Sequence, residues 1–134
     1  MEISFVVPMY NEEENIFPLL EKLEKTVKDN QYTEYEFIFI NDGSTDSTGK
    51  ILNELGHFKE YVKPIFFKKN AGQSAALDAG FKLASGNIVI SLDGDLATTR
   101  FNRQNPRYGL TKIPLKNWNL DCSLLRRNGA GVFD

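Results

Sequence analysis

Cysteine is nearly absent from this chain. Cys122 is the only one, which excludes an intrachain disulfide and points to a reducing compartment. Histidine is as scarce: His57 stands alone, and neither residue has a partner in the sequence that would assign it a role. Long hydrophobic runs are missing too. No stretch approaches the ~20 apolar residues of a membrane span, and Met1-Glu2-Ile3-Ser4 carries no basic region or apolar core of a signal peptide. The expectation is a cytoplasmic chain, soluble or peripheral at the cytoplasmic face of a membrane. No G-x-G-x-x-G follows the first strand-like run and no G-x-x-x-x-G-K-[ST] occurs, which argues against dinucleotide and P-loop chemistry. There is no internal repeat and no low-complexity tract. The net charge of −2 gives no reason to expect a nucleic acid partner.

Arginine is absent where most of the pattern lies. Residues 1–96 hold nine lysines, no arginine and 16 acidic residues, a net charge of −7. Residues 97–134 hold two lysines, five arginines (Arg100, Arg103, Arg107, Arg126, Arg127) and two acidic residues, a net charge of +5. A shift of this size marks a boundary. It divides the chain into a region 2–96 and a divergent basic tail 97–134, in which Pro106 and Pro114 interrupt any period and at most one short helix or strand is expected.

What is present is the material of one globular domain. The 134 residues are 41 % hydrophobic and 25 % charged, enough for a core without staples. Ile3–Val7 reads as a first strand ended by Pro8. Ile16, Leu19, Leu20, Leu23 and Val27 follow helical spacing, and Pro18 requires that helix to begin near residues 13–15, with Asn30 at its end. Tyr35–Ile40 predicts a second strand, residues 46–55 a helix, and residues 62–67 a third strand that Pro64 makes irregular or near an edge. Residues 73–84 predict a helix rich in small residues, closed by Ser85-Gly86, and Ile88–Leu92 a fourth strand. The order β-α-β-α-β-α-β predicts an α/β fold, a Rossmann-like and mostly parallel sheet with helices on both faces.

Ligands of such sheets bind at the carboxyl ends of the strands. Those ends read Pro8-Met9-Tyr10-Asn11-Glu12, Asn41-Asp42-Gly43-Ser44, Lys68-Lys69-Asn70 and Asp93-Gly94-Asp95, so polar and acidic groups converge on one edge. Asp93 and Asp95 would repel one another unless a cation sits between them. Mg²⁺ or Mn²⁺, which favour oxygen ligands and share them with phosphates, suits the pair, with Gly94 leaving clearance. A solvated acidic turn or a salt bridge to the basic tail is the plainer alternative. Asp42 reads either as a ligand for a base or sugar or as a turn residue. Tyr10 offers an aromatic face, Glu12 a carboxylate near a helix start, and Lys68 and Lys69 charges that suit a diphosphate or merely a charged loop.

Four segments, "SFVVPMYNEEENI", "FIFINDGSTDST", "KKNAGQSAALDAGF" and "SGNIVISLDGDL", in this order and spacing, resemble the family-2 glycosyltransferases of GT-A fold, most closely the polyprenyl-phosphate and dolichol-phosphate sugar synthases. The resemblance covers residues 2–96 and implies the nucleotide-sugar-binding half of that fold. It implies that Pro8, Tyr10 and Glu12 contact the nucleotide, that Ile40 and Asp42 hold the base and ribose, and that Asp93, Gly94 and Asp95 bind the donor diphosphate, Asp93 and Asp95 through Mg²⁺ or Mn²⁺. The implied donor is a UDP- or GDP-hexose and the implied acceptor a polyprenyl phosphate at a membrane surface. No catalytic residue is singled out. Asn41 stands where the family often has Asp.

From Ala97 the sequence shows no such resemblance. Two readings of the tail stand open: a frameshifted or truncated reading frame after Leu96, or a genuine variant whose basic tail covers the sheet or meets a membrane surface. Translating the gene in its other frames distinguishes them. The alternatives for function are a catalytically inactive nucleotide-sugar-binding fragment or regulatory module, and a different nucleotide enzyme such as a nucleotidyltransferase.

Overall fold

The computed structural model of the chain describes residues 2–92 and the backbone of residues 125–127. The expectations for Asp93, Gly94 and Asp95, and for the rest of the tail, lie outside the described residues. The element order is β1 (Ile3–Met9), α1 (Ile16–Asp29), β2 (Tyr35–Asn41), α2 (Thr48–Phe58), β3 (Val62–Phe66), α3 (Gln73–Leu83), β4 (Ile88–Ser91) and β5 (Leu125–Arg127). They form one five-stranded sheet in the order β3-β2-β1-β4-β5. The first four strands are mutually parallel, and β5 is antiparallel to β4.

The alternation of side chains along each strand decides what each face of the sheet packs against. Ile3, Phe5, Val7 and Met9 of β1 join Phe37 and Phe39 of β2 under α1 and α2, with Ile16, Leu19, Leu20, Leu23, Val27, Leu52 and Leu55 closing that core. The opposite face carries Val6, Ile38, Ile40 and Val89 against Ala76 and Phe81 of α3. Helices therefore cover both faces, as expected for parallel strands. In α3, Gly80 lets the helix lie close to the sheet: a Cβ there would stand 2.3 Å from Val6 Cγ1 and 2.9 Å from Ile40 Cδ1.

The helix limits follow from local chemistry. Pro18 is the third residue of α1, where its missing N–H breaks no intrahelical bond. The second helix begins at Thr48, two residues later than the expected start at Asp46: its N-cap is Ser47, and Asp46, just ahead of it, accepts the Thr48 N–H on Oδ1 at 2.9 Å in a local side-chain turn. It continues beyond Leu55 to Phe58, whose ring is 84 % exposed.

Across the α3 face, near the amino ends of the strands, lies a buried carboxylate that strand periodicity alone does not distinguish. Glu36 Oε1 accepts the Ser4 hydroxyl at 2.6 Å, the Ser85 N–H at 2.7 Å and the Ser85 hydroxyl at 2.9 Å. Its Oε2 takes the Lys63 ammonium at 2.6 Å. Ser4 Oγ in turn accepts the Gly86 N–H at 2.8 Å. This network joins β1, β2 and β3 to the turn that ends α3. Burial pushes the Glu36 carboxyl upward, but the hydrogen bonds from Lys63, Ser4 and Ser85 outweigh it and hold it at about 2, below the usual 4.5.

Candidate functional site

At the carboxyl edge of the sheet the β1–α1 and β2–α2 loops are sewn together. Asn11 has φ +50°, a left-handed conformation that asparagine tolerates better than most residues. Its Oδ1 accepts the Thr45 N–H at 2.8 Å and the Asp46 N–H at 3.4 Å, while its own N–H donates to Ser44 Oγ at 3.0 Å. The Glu12 N–H donates to Thr48 Oγ1 at 3.0 Å, and the Ser47 N–H to Glu13 Oε2 at 2.9 Å. These bonds hold Tyr10 and Glu12 where the chain leaves β1. Tyr10 keeps 46 % of its surface exposed, and Glu12 Oε2 accepts the Asn15 side-chain N–H at 2.7 Å.

Asp42 ends β2 on the same edge and is 4 % exposed. Its main-chain N–H donates to the Met9 carbonyl at 2.8 Å. Its Oδ1 accepts the Ala71 N–H at 2.7 Å and its Oδ2 the Gly72 N–H at 3.1 Å. Asn70 Nδ2 donates to the Asp42 carbonyl at 3.3 Å. The β3–α3 loop is thereby drawn against the end of β2. Gly43, at φ +69°, makes the approach feasible: a Cβ on it would fall 2.3 Å from the Asn70 nitrogen and the Lys69 carbonyl carbon.

Between these loops opens a cleft of about 300 Å³ lined by Pro8, Met9, Tyr10, Glu12, Asp42, Asn70, Gly72 and Gln73. It joins an aromatic ring, two carboxylates and two carboxamides at the position where α/β sheets bind ligands, and its size is that of a small-molecule site. Of the residues singled out from sequence, Pro8, Tyr10, Glu12 and Asp42 are brought together here. Ile40 is elsewhere: its side chain is fully buried beneath α3 beside Gly80. Lys68 and Lys69 are exposed on the loop and do not line the cleft. Asn70, read from sequence as part of the third strand end, forms one wall of the cleft with Gly72 and Gln73, which the sequence did not single out. The signal for it is the pairing of an aspartate at one strand end with a glycine-bearing loop at the next, which becomes visible only when the two are adjacent.

Among the described residues, no three His, Cys, Asp or Glu side chains gather as a metal site. The Leu92 N–H donates to the Val6 carbonyl at 2.9 Å, so β4 runs alongside β1 up to the residue that Asp93 follows.

Comparison with known proteins places this geometry. The family model described as Glycosyl transferase family 2 matches residues 4–100. The undecaprenyl-phosphate 4-deoxy-4-formamido-L-arabinose transferase of Proteus mirabilis is 43 % identical over 96 residues, covering 71 % of this chain and 29 % of that protein. The putative glycosyltransferase CsbB of Bacillus subtilis is 38 % identical over 131 residues, 96 % of this chain and 37 % of the relative; that similarity extends past residue 96 into the tail. Among solved structures, S. aureus TarS 1–349 in complex with UDP superposes with a TM-score of 0.61 at 31 % identity, covering 71 % of this chain and 28 % of that one. The chain thus spans about a third of the length of the relatives it matches.

Proposed function

Because the chain belongs to glycosyl transferase family 2, we propose that the cleft binds the nucleoside diphosphate of a sugar donor and that the protein serves transfer of a hexose to a polyprenyl phosphate. The observation that carries this reading is the convergence of Tyr10, Glu12 and Asp42 on one cleft at the carboxyl edge. The UDP complex of a structural relative at 31 % identity supports a nucleotide as occupant, and the undecaprenyl-phosphate transferase supports the acceptor class. Tyr10 presents the flat apolar surface that a nucleobase stacks on, beside Pro8. Glu12 accepts hydrogen bonds from sugar hydroxyls. The carboxamides of Asn70 and Gln73 each carry a donor and an acceptor and hold the ligand in register.

Asp93 and Asp95 would hold Mg²⁺ or Mn²⁺, two hard oxygen donors suited to a hard cation that shares its coordination with phosphate. When bound, such an ion offsets the charge that develops on the departing diphosphate. With an acceptor embedded in lipid, the protein works at a membrane surface, on its cytoplasmic face. No helix among the described residues is long and apolar enough to cross a membrane.

Calorimetric titration of the 134-residue chain with UDP and with GDP, in Mn²⁺ and again in EDTA, tests the reading. Saturable heat with one diphosphate, strengthened by the metal, is the expected result. No heat with either diphosphate in either condition would overturn it.

A further inference from the structure

We infer that Asn11 and Thr48 are positioning residues of the cleft: they stitch the β1–α1 loop to the start of α2, and nucleotide affinity depends on them through the placement of Tyr10 and Glu12. This rests on the donor-site reading above. It gives a role to the polar run Ser44-Thr45-Asp46-Ser47-Thr48, which that reading leaves unused. Among the described residues that line the cleft, neither Asn11 nor any member of this run occurs. The Thr48 side chain is fully buried. Asn11 Oδ1 is turned to the facing loop, where it accepts the Thr45 N–H, the Thr45 hydroxyl and the Asp46 N–H.

Three consecutive main-chain N–H groups carry the seam. Asn11 donates to Ser44 Oγ at 3.0 Å, Glu12 to Thr48 Oγ1 at 3.0 Å and Glu13 to Asp46 Oδ2 at 3.4 Å. These residues lie between β1 and α1, where neither a strand nor a helix supplies acceptors. The facing side chains supply them instead. In return, Glu13 Oε2 takes the N–H of Ser47, the N-cap of α2, a place that favours a carboxylate. The ring of Tyr10 belongs to neither core cluster, so its position follows from the main chain that the seam holds. Asn11 is the turning point, at φ +50°, and Thr48 is the anchor, since α2 is packed on the sheet through Leu52 and Leu55. Without the seam, a nucleotide would have to order residues 10–13 on binding, and that ordering weakens affinity.

The test uses three variants of the 134-residue chain. Asn11→Gly keeps the left-handed turn and removes the acceptor. Thr48→Val keeps the side-chain shape and removes the hydroxyl, whereas Thr48→Ser retains the hydroxyl. Amide hydrogen exchange in the free protein reads the seam at Thr45 and Glu12, and protection of β1 and β2 shows that a variant is folded. Calorimetry with UDP and Mn²⁺ reads binding. Exchange should rise at Thr45 in Asn11→Gly and at Glu12 in Thr48→Val, and UDP affinity should fall in both, each by about fivefold, the size of one lost neutral hydrogen bond. Thr48→Ser should restore protection and affinity to within about twofold of the unaltered chain. Should Thr48→Val lose protection of β1 and β2, the exposed Asn11→Gly decides alone.

Weaker UDP binding in Asn11→Gly with unchanged exchange would assign Asn11 a direct contact and overturn the inference. Faster exchange with unchanged affinity would make the seam purely structural and overturn it as well, as would a Thr48→Ser that binds no better than a folded Thr48→Val. If the unaltered chain gives no heat with UDP or GDP while exchange still reports the seam, the donor-site reading falls, and with it the positioning role, although the seam itself stands.

Discussion

Glu36 and Lys63 meet across neighbouring strands at 2.6 Å, the carboxylate fully buried and the lysine half exposed. The asymmetry decides what each side chain contributes. Glu36 has exchanged all its water for Lys63, Ser4 and Ser85, whereas Lys63 retains much of its hydration. Glu36→Gln should therefore destabilise the protein by about 2–4 kcal/mol, since it breaks a buried charged network and leaves donors unpaired. Lys63→Met should lose only about 1 kcal/mol, in keeping with a half-exposed ion pair. Urea denaturation followed by circular dichroism measures both.

The same carboxylate sets a pH dependence. Its pKa is about 2 in the folded protein against 4.5 for the free group. A depressed folded-state pKa contributes stability that is fully present above pH ~4.5 and is lost as the pH falls toward 2. At ~1.36 kcal/mol per unit the contribution is on the order of 3 kcal/mol. Unfolding free energies should fall over that window in the native protein. In Glu36→Gln the fall should be shallower; identical pH profiles for the two would contradict the assignment.

Gly80→Ala tests how tightly α3 lies on the sheet. Alanine favours a helix interior over glycine by about 1 kcal/mol. Here its methyl group would sit 2.3 Å from Val6 Cγ1, and overpacking of this kind costs about 1–3 kcal/mol or more. The net effect should be a lower melting temperature. A rise would show that the helix shifts outward at little cost.

Tyr10→Ala separates binding from folding. The ring is 46 % exposed and belongs to neither core cluster. Stability should change by less than about 0.5 kcal/mol, while loss of a stacking surface should weaken UDP or GDP by about 1–3 kcal/mol. Thermal melts and calorimetry on one preparation give both numbers.

Asp93→Asn combined with Asp95→Asn addresses the cation. The double variant should bind a nucleoside diphosphate in Mn²⁺ no better than the unaltered chain does in EDTA, and uridine, which has no phosphate, should bind both proteins equally. Metal-dependent strengthening that survives the double substitution would place the ion on other ligands.

The strands and helices were legible because apolar residues follow one period at a time. Ile16, Leu19, Leu20, Leu23 and Val27 mark α1, and the run Tyr35–Ile40 marks β2. Half the cleft was legible as well: Pro8, Tyr10, Glu12 and Asp42 are strand-end residues, and parallel topology sends strand ends to one edge. What stayed hidden depends on distant pairing. Glu36 sits inside an apolar run, and its partners are 27 to 49 residues away, so no local spacing distinguishes it from a surface residue of a strand. The wall of Asn70, Gly72 and Gln73 depends on a bond 29 residues long in sequence. Ile40 shows the reverse: the family resemblance implied a ligand contact, while alternation turns its side chain to the α3 core.

One consequence follows from the outermost parallel strand. The Phe37 N–H reaches the Tyr61 carbonyl and the Phe67 N–H reaches the Asn41 carbonyl, so residues 61, 63, 65 and 67 face β2, and by alternation residues 62, 64 and 66 face outward. Of those three, the Val62 N–H is already given to the Lys59 carbonyl, and Pro64 has no amide hydrogen. A strand from another molecule arriving at this border would find one of these three residues, Phe66, with a main-chain N–H left to donate. The protein thus guards this side of its sheet against filament growth with a turn and a ring, and needs no covering helix there.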